Sequence, residues 1–358
     1  MKIITVVGAR PQFVKAAVVS RALQTNQYME ERIIHTGQHY DSNMSDIFFD
    51  EMQIPKPAYQ LSVQETLHGA MTAKMLTGIE QILLHEKPSA VLVYGDTNST
   101  LAAALAASKL HIPVAHVEAG LRSCNMRMPE EINRIVADKV SSFLFCPTEQ
   151  AVSNLKEEGF NQSFHHVYLT GDVMFDAALF YFKQSNDALI QRLHLQQNNF
   201  ILATIHRAEN TDDAARLLSV VEALNTLNRQ QRVVVPLHPR TKKMIERLQI
   251  KPLFSIIEPV GYLDMLQLLH HCSLVITDSG GMQKEAYFFK KFCVVMREQT
   301  EWVELVQHGF AAIAGSDTKK ITDIAHGFLQ SMFRDKAGLY GDGRAGEKIV
   351  NILESHLN

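Results

Sequence analysis

The segment Ile276-Thr277-Asp278-Ser279-Gly280-Gly281-Met282-Gln283-Lys284-Glu285-Ala286 joins an apolar run, Leu274 to Thr277, to a helical pattern through a Ser-Gly-Gly turn. Unpaired amides at a helix start carry fractional positive charge, and glycine lets an oxyanion approach the backbone closely. The turn therefore reads as a phosphate cradle. Glu285 lies one and a half turns further on, where a carboxylate can accept bonds from the two hydroxyls of a ribose. Together they describe a nucleotide site, although a strand, a glycine turn and a helix also meet in α/β proteins that hold no ligand there.

Other strand ends carry further chemistry. Gly8-Ala9-Arg10-Pro11-Gln12-Phe13-Val14-Lys15 places two cations beside a helix start, with Pro11 suited to the first turn. That pairing suits a diphosphate, and it also fits a solvated basic helix. Tyr94-Gly95-Asp96-Thr97-Asn98-Ser99-Thr100 puts a carboxylate at a strand tip, where an Asp also serves as a helix N-cap. His116-Val117-Glu118-Ala119-Gly120-Leu121-Arg122 ends another strand, and Pro129-Glu130-Glu131-Ile132-Asn133-Arg134 opens a helix with acid at its positive end. Thr204-Ile205-His206-Arg207-Ala208-Glu209-Asn210 and Pro236-Leu237-His238-Pro239-Arg240-Thr241 follow two more strands. Carboxylates and a histidine gathered at strand tips, together with a phosphate-binding turn, point to acid–base chemistry on a nucleotide-linked substrate.

The elements that must position these groups are short β-branched runs separated by helical stretches. One series reads Ile3–Gly8, Arg32–Gly37, Ala90–Asp96, Val114–Gly120, Phe143–Thr148 and Val167–Asp172; a second reads Phe200–His206, Arg232–His238, Ser255–Val260, Leu274–Asp278, Cys293–Arg297 and Ala311–Gly315. Near-continuous apolar strands alternating with helices predict parallel sheets covered on both faces. The expected class is α/β, with two doubly wound domains at 1–172 and 173–340 and the ligand in a cleft at the carboxyl ends of the strands. A tail helix from Ala345 to Leu357, after Tyr340-Gly341-Asp342-Gly343, is expected to pack back across the domains.

Bulk composition narrows the function further. The 358 residues exceed one typical core, and 46% hydrophobic with 20% charged residues describes a globular chain. A formal net charge of -3 supplies no basic field for nucleic acid and no polybasic membrane patch. No apolar run reaches the length of a membrane span, and the opening Met1-Lys2-Ile3-Ile4-Thr5-Val6-Val7-Gly8 runs straight into a strand pattern without an apolar leader. Cys124, Cys146, Cys272 and Cys293 form no C-x-x-C pair and read as reduced thiols of a cytoplasmic protein. The 16 histidines show no metal-ligand spacing, so no metal site is expected.

Taken in order, these motifs resemble the non-hydrolysing UDP-N-acetylglucosamine 2-epimerases. The resemblance rests on Gly-x-Arg-Pro-x-x-x-Lys, Gly-Asp-Thr-x-Ser, Val-Glu-Ala-Gly-Leu-Arg, Pro-Glu-Glu-x-Asn-Arg, the His-Arg turn, Asp-Ser-Gly-Gly-x-Gln-x-Glu and Tyr-Gly-Asp-Gly, spread over nearly the whole chain. It implies two Rossmann-like domains in the B-type glycosyltransferase arrangement, a UDP-sugar substrate, a homodimer and a place in surface polysaccharide biosynthesis. By position it implies phosphate contacts at Ser279, Gly280 and Gly281, a ribose contact at Glu285, and Arg10 and Lys15 on the diphosphate. His206, Arg207 and Arg297 join the UDP contacts, and Asp96, Glu118, Glu130 and His206 fall on the family's catalytic positions.

The chemistry accounts for such a set. The C2 hydrogen of an N-acetylhexosamine is not next to a carbonyl, so its direct removal would leave an inaccessible carbanion. Breaking the anomeric C–O bond lets UDP leave with the electron pair while C2 loses its proton, giving a 2-acetamidoglucal. Reprotonation on the other face and re-addition of UDP complete an epimerisation that needs neither NAD nor a catalytic metal. Cations and the Ser-Gly-Gly turn would stabilise the departing diphosphate, and carboxylates on opposite faces would move the proton. The resemblance leaves the base as Asp96 or Glu118, with Glu130 as partner.

Several segments depart from the family pattern. Glu118 and Glu130 are 130 − 118 = 12 positions apart, bridged by Ser123-Cys124-Asn125-Met126-Arg127-Met128, which shortens the loop beside the sugar. Gly37-Gln38-His39-Tyr40-Asp41 differs where bacterial members hold a second UDP-GlcNAc as activator, which argues against that activation. Asp172 stands where Asn is usual, and Glu301-Trp302-Val303-Glu304 replaces Glu-Arg-Pro-Glu. These features resemble a sister branch acting on UDP-2,3-diacetamido-2,3-dideoxy-glucuronic acid, whose extra carboxylate Arg127 would pair. The alternatives are a hydrolysing epimerase releasing free ManNAc and UDP, a glycosyltransferase of the same architecture, and a UDP-sugar sensor without catalysis.

Overall fold

A computed structural model describes residues 1–38, 52–63, 65–160 and 164–357, with the side chain of Arg10 outside that description. The chain divides into two compact units, Met1–Ala177 with Ala337–Asn358, and Ala178–Lys336. These crossings fall a few residues from the expected divisions at 172/173 and 340/341.

The first unit is built on seven parallel strands: β1 (Lys2–Val7), β2 (Glu30–His35), β3 (Tyr59–Gln60), β4 (Ala90–Tyr94), β5 (Val114–Val117), β6 (Phe143–Cys146) and β7 (His166–Leu169). Their spatial order is β3-β2-β1-β4-β5-β6-β7. Order reverses between β1 and β4, so the turns that follow these two strands leave the sheet side by side at its carboxyl edge, the place where open α/β sheets receive ligands. The second unit repeats the plan with β8 (Ile201–Thr204), β9 (Val233–Pro236), β10 (Ser255–Ile257), β11 (Leu274–Thr277), β12 (Cys293–Val295) and β13 (Ala311–Ile313), ordered β10-β9-β8-β11-β12-β13. Here the reversal falls between β8 and β11, the strands ending at His206 and at the Ser-Gly-Gly turn.

All twelve expected strands are present; the additional one, β3, is a two-residue edge pairing too short to leave a sequence pattern. Strands β1, β4 and β5 are almost wholly buried, as sheets covered on both faces require. Four helices serve the first unit's site: α1 (Arg10–Gln24), α2 (His68–Glu86), α3 (Asn98–Lys109) and α4 (Pro129–Val140). Helix α3 packs under the sheet through fully buried Ala102, Ala103, Ala104, Ala106 and Ala107, whose methyl groups allow close approach of neighbouring backbones. Among the described residues no helix is long and apolar enough to cross a membrane.

Helices α5 (Glu149–Glu157), α6 (Val173–Phe182), α7 (Ala188–Arg192), α8 (Ala208–Thr211), α9 (Ala214–Asn228), α10 (Pro239–Arg247), α11 (Tyr262–His271), α12 (Gly280–Phe288), α13 (Val303–Gln307) and α14 (Thr318–Leu329) follow, and α15 (Ala345–Leu357) closes the chain. The tail helix belongs to the first unit, where it lies along α1. A Cβ on Gly346 would sit 2.7 Å from a Val18 methyl carbon, and Asn26 donates to Glu354 at 2.7 Å. Just before it, Asp172 N–H donates to Tyr340 O at 3.0 Å, and a Cβ on Gly341 would stand 2.9 Å from the Gly171 Cα. Only two glycines tolerate that crossing.

Asp176 Oδ2 accepts the Gly346 amide at 2.9 Å and so caps the tail helix, while its Oδ1 is buried without a partner among the described residues. Burial pushes its carboxyl up to about 6, the Gly346 and Ala345 amides oppose the shift, and Asp172 and Asp342 add to it. A carboxyl raised on folding binds its proton more tightly in the native state. Its stabilising contribution is therefore present below the unfolded value near 4 and is lost as pH climbs to about 6. Asp176→Asn should raise the thermal midpoint at pH 7.5 by a gain on the order of 1–2 kcal/mol. The difference from wild type should shrink toward zero near pH 4 in paired melting curves.

Candidate active site

In the first unit the site is organised by strand tips. Gln12, in the first turn of α1, accepts the Gly8 and Ala9 amides at 2.8 and 3.1 Å and donates to Tyr94 O at 2.9 Å and Thr100 Oγ1 at 3.0 Å. One buried amide thus ties the turn after β1 to the turn after β4. Lys15, one turn along the helix, forms an ion pair with Glu118 at the tip of β5, both side chains 10% exposed. Glu118 holds φ +74, an uncommon conformation for a non-glycine residue and one that clusters at functional sites. Its amide and that of Ala119 both donate to Phe145 O at 3.1 Å, which fixes the turn against β6.

Asp96 is not the cap of α3. Thr97 fills that position, its hydroxyl accepting the Thr100 amide at 3.3 Å. The Asp96 carboxylate instead pairs with Arg134, whose Nη1 reaches Glu131 Oε2 at 2.7 Å. Glu131 also accepts the Ser123 and Cys124 amides at 3.0 and 2.8 Å. Burial acts to raise its carboxyl, and the Ser123 amide, Arg134 and the Cys124 amide outweigh burial and hold it below the usual range. The loop at residues 123–124 is thereby tied through Glu131 and Arg134 to Asp96.

Of the two adjacent glutamates, Glu130 is exposed on the first turn of α4 and Glu131 is buried. The helix turns Glu131, Asn133, Arg134, Ala137 and Asp138 inward and leaves Ile132 42% exposed. Its buried face is therefore charged. The i, i+3, i+7 spacing of Glu131, Arg134 and Asp138 carries that signal in the sequence, although charged residues at helical spacing ordinarily mark a solvated face.

A second buried network lies behind these turns. His116 on β5, fully buried, has Nδ1 2.7 Å from Asp138 Oδ1 and Nε2 2.7 Å from Gly95 O. Asp138 Oδ2 accepts the Gly120 amide at 3.1 Å and Arg122 Nη1 at 2.8 Å. Burial pushes the Asp138 carboxyl up, and the His116 ring and the Arg122 guanidinium overcome it, so its net displacement is downward.

In the second unit Asp278, fully buried at the tip of β11, accepts the His206 amide at 3.0 Å, the Arg207 amide at 3.0 Å and Asn210 Nδ2 at 3.2 Å. His206 Nδ1 lies 3.1 Å from its Oδ1, with the histidine side chain 48% exposed. The ring is thus anchored at one nitrogen and open at the other. Ser279 caps α12, its hydroxyl accepting the Met282 amide at 3.4 Å while its own amide donates to Thr277 Oγ1 at 2.9 Å. Gly281 is exposed with no atom within 4 Å of a built Cβ, leaving the helix start open to an anion. Gly280 is buried because Glu301 occupies the space: a Cβ there would lie 2.2 Å from Glu301 Oε1. Glu301 Oε2 pairs with Arg297 Nη1 at 2.9 Å, placing Arg297 at the turn, and Glu285 is buried on the same helix.

The structure thus groups Lys15 with Glu118, Asp96 with Arg134, and His206, Arg207, Ser279, Gly280, Gly281 and Arg297 around Asp278 and the α12 start. The side chain of Arg10 and residues His39 to Asp41 lie outside the described residues; Gln38 accepts the Ser99 amide at 3.1 Å and its hydroxyl at 2.8 Å. Sequence reasoning missed Glu131, Arg134, His116, Asp138 and Asn210 as supports, and took Asp278 only as part of a motif. No group of His, Cys, Asp and Glu that could hold a metal occurs among the described residues.

Comparison with known proteins gives consistent matches. The family model for UDP-N-acetylglucosamine 2-epimerase matches residues 21–354. The chain is 55% identical over 354 residues to UDP-2,3-diacetamido-2,3-dideoxy-D-glucuronate 2-epimerase of Pseudomonas aeruginosa, covering 99% of both chains. It is 41% identical to a UDP-N-acetylglucosamine 2-epimerase of Methanocaldococcus jannaschii, covering 99% of both, and 33% identical to that of Escherichia coli, again covering 99% of both. The crystal structure of the Methanocaldococcus jannaschii enzyme in complex with UDP-GlcNAc and UDP superimposes with a TM-score of 0.88 at 40% identity, over 99% of this chain and 100% of that one.

Removing the Asp278 carboxylate would leave two backbone amides and the Asn210 amide without their buried acceptor. Asp278→Ala should cost roughly 3 kcal/mol, read as a lower thermal midpoint, whereas Asp278→Asn, which keeps an acceptor oxygen, should recover part of the loss.

Proposed function

Because the chain belongs to the UDP-N-acetylglucosamine 2-epimerase family, we propose that it is a non-hydrolysing C2 epimerase whose substrate is UDP-2,3-diacetamido-2,3-dideoxy-glucuronate, converted to the manno epimer. The observation that carries the substrate is the 55% identity with the Pseudomonas aeruginosa enzyme of that name, against 41% and 33% for relatives named as UDP-N-acetylglucosamine 2-epimerases.

The Ser279-Gly280-Gly281 turn and Arg297 take the diphosphate, with Arg10, Lys15, His206 and Arg207 completing its neutralisation and Glu285 holding the ribose. Bond cleavage at C1 sends the electron pair to the UDP oxygen, and these cations and amides stabilise the developing charge. Asp96 and Glu118 carry the C2 proton. Each is paired with its own cation, Arg134 and Lys15 respectively. Glu130, exposed at the α4 start, closes the set from the loop side.

The shortened loop supports the uronate as substrate. Arg127 is exposed, its amide donates to Asn125 Oδ1 at 3.1 Å in a tight turn, and its guanidinium has no ion-pair partner among the described residues. It is a cation available for the sugar carboxylate, while the rest of the loop is fixed on Glu131.

The test is proton NMR in D2O with each UDP-sugar, without added NAD or metal. A C2 deuteron appearing together with the manno product, faster on the diacetamido uronate than on UDP-GlcNAc, is the expected result. Retention of the C2 proton in both tubes would exclude epimerisation, and preference for UDP-GlcNAc would exclude the substrate. Asp96→Asn and Glu118→Gln should each lower turnover by about 100-fold or more. Arg127→Ala should raise KM for the uronate about tenfold, the equivalent of one exposed but specific ion pair, and leave UDP-GlcNAc kinetics unchanged.

A further inference from the structure

Asp96 and Glu118 stand on different turns, one after β4 and one after β5, and a proton moved between the two faces of C2 requires them at a fixed separation. The main chain alone does not secure it. Gly95 holds φ +61, Glu118 φ +74 and Gly120 φ +80, three left-handed positions within the two turns. Such turns have competing conformations of similar energy unless something outside them selects one.

The geometry points to the buried His116–Asp138 pair as the positioning device that locks the Asp96 turn to the Glu118 turn. His116 Nε2 meets Gly95 O, the carbonyl immediately before Asp96, at 2.7 Å. Its Nδ1 meets Asp138 Oδ1 at 2.7 Å, and the other oxygen of that carboxylate takes the Gly120 amide, two residues after Glu118, at 3.1 Å. One histidine ring and one carboxylate thus form a continuous bridge between the two turns. Lys15 reports the same closeness independently: its Nζ pairs with Glu118 and lies 3.0 Å from a Cβ built on Gly95. Both members of the bridge are fully buried, so neither touches substrate. Arg122 completes the Asp138 shell from the α4 side and is held in turn by Glu158 at 2.6 and 2.9 Å.

This inference rests on the epimerase reading and adds a consequence to it. After UDP and the C2 proton have left, the glucal must be reprotonated from the face opposite the one that lost the proton before it escapes. A loosened bridge lets the two carboxylates drift relative to each other, and a misplacement of about 1 Å is worth about 100-fold in such a step. The Ser279-Gly280-Gly281 turn and Arg297 lie in the other unit, so these diphosphate contacts are not affected.

The experiment compares wild type, His116→Gln, His116→Phe and Asp138→Asn as full chains, with the uronate in D2O, following C2 deuteration, manno product, and free glucal with UDP. His116→Gln keeps a donor for Gly95 O, whereas His116→Phe keeps only the volume. The expected result is kcat down about 100-fold in His116→Phe and Asp138→Asn, KM within threefold of wild type, and the ratio of released glucal to epimer up at least tenfold. His116→Gln should recover part of both kcat and the ratio. Unchanged kcat, or a fall in kcat that tracks a lowered thermal midpoint with the glucal ratio unmoved, would overturn the positioning role and leave the epimerase intact. Absence of C2 exchange in wild type would overturn both together.

Discussion

Each unit depends on a fully buried carboxylate satisfied by donors from the end of a neighbouring strand. Asp278 takes the His206 and Arg207 amides from the end of the neighbouring strand β8, and Asp138 takes the Gly120 amide and the His116 ring. An ionised group in such surroundings is tolerated only while every lone pair is engaged. The cost of losing one donor holds the strand tips in register at the sheet edge, where backbone pairing has ended. The half-exposed His206 ring inherits its placement from one of these hidden acids.

That dependence explains which parts of the molecule were readable from residues alone. Strands such as Ala90–Tyr94 and Leu274–Thr277 announce themselves because parallel strands buried on both faces must be apolar throughout. The Ser-Gly-Gly turn is legible for a related reason: Gly280 leaves room for Glu301 to pack, and nothing stands within 4 Å of a Cβ built on Gly281. Two-residue β3 offers no period to detect. The supports of the site were opaque because a charge reads as solvent-facing until its partner is known. Glu131 is the plain example, since Glu130 and Glu131 are chemically identical neighbours and only the rotation of α4 separates an exposed acid from a buried one.

The same rotation accounts for the hold on the loop at residues 123–124. With Glu131 gripping the Ser123 and Cys124 amides and Arg134 bridging to Asp96, a change of loop length is transmitted to the carboxylate rather than absorbed. The loop and the Asp96 carboxylate are thus mechanically linked through two side chains, and variation in one is constrained by the other.

The tail helix carries a consequence for how the protein is made. Residues 337–358 belong to the unit that begins at Met1, so a ribosome delivers the entire second unit before the first can be finished. Until then α1 lacks the helix that covers it, with Val18 waiting for Gly346 and Asn26 for Glu354. The second unit, continuous in sequence, is free to fold during that interval. The Ser-Gly-Gly turn is therefore assembled on the nascent chain before the first unit is complete, and a chain cut short before residue 337 would have that turn without a completed first unit.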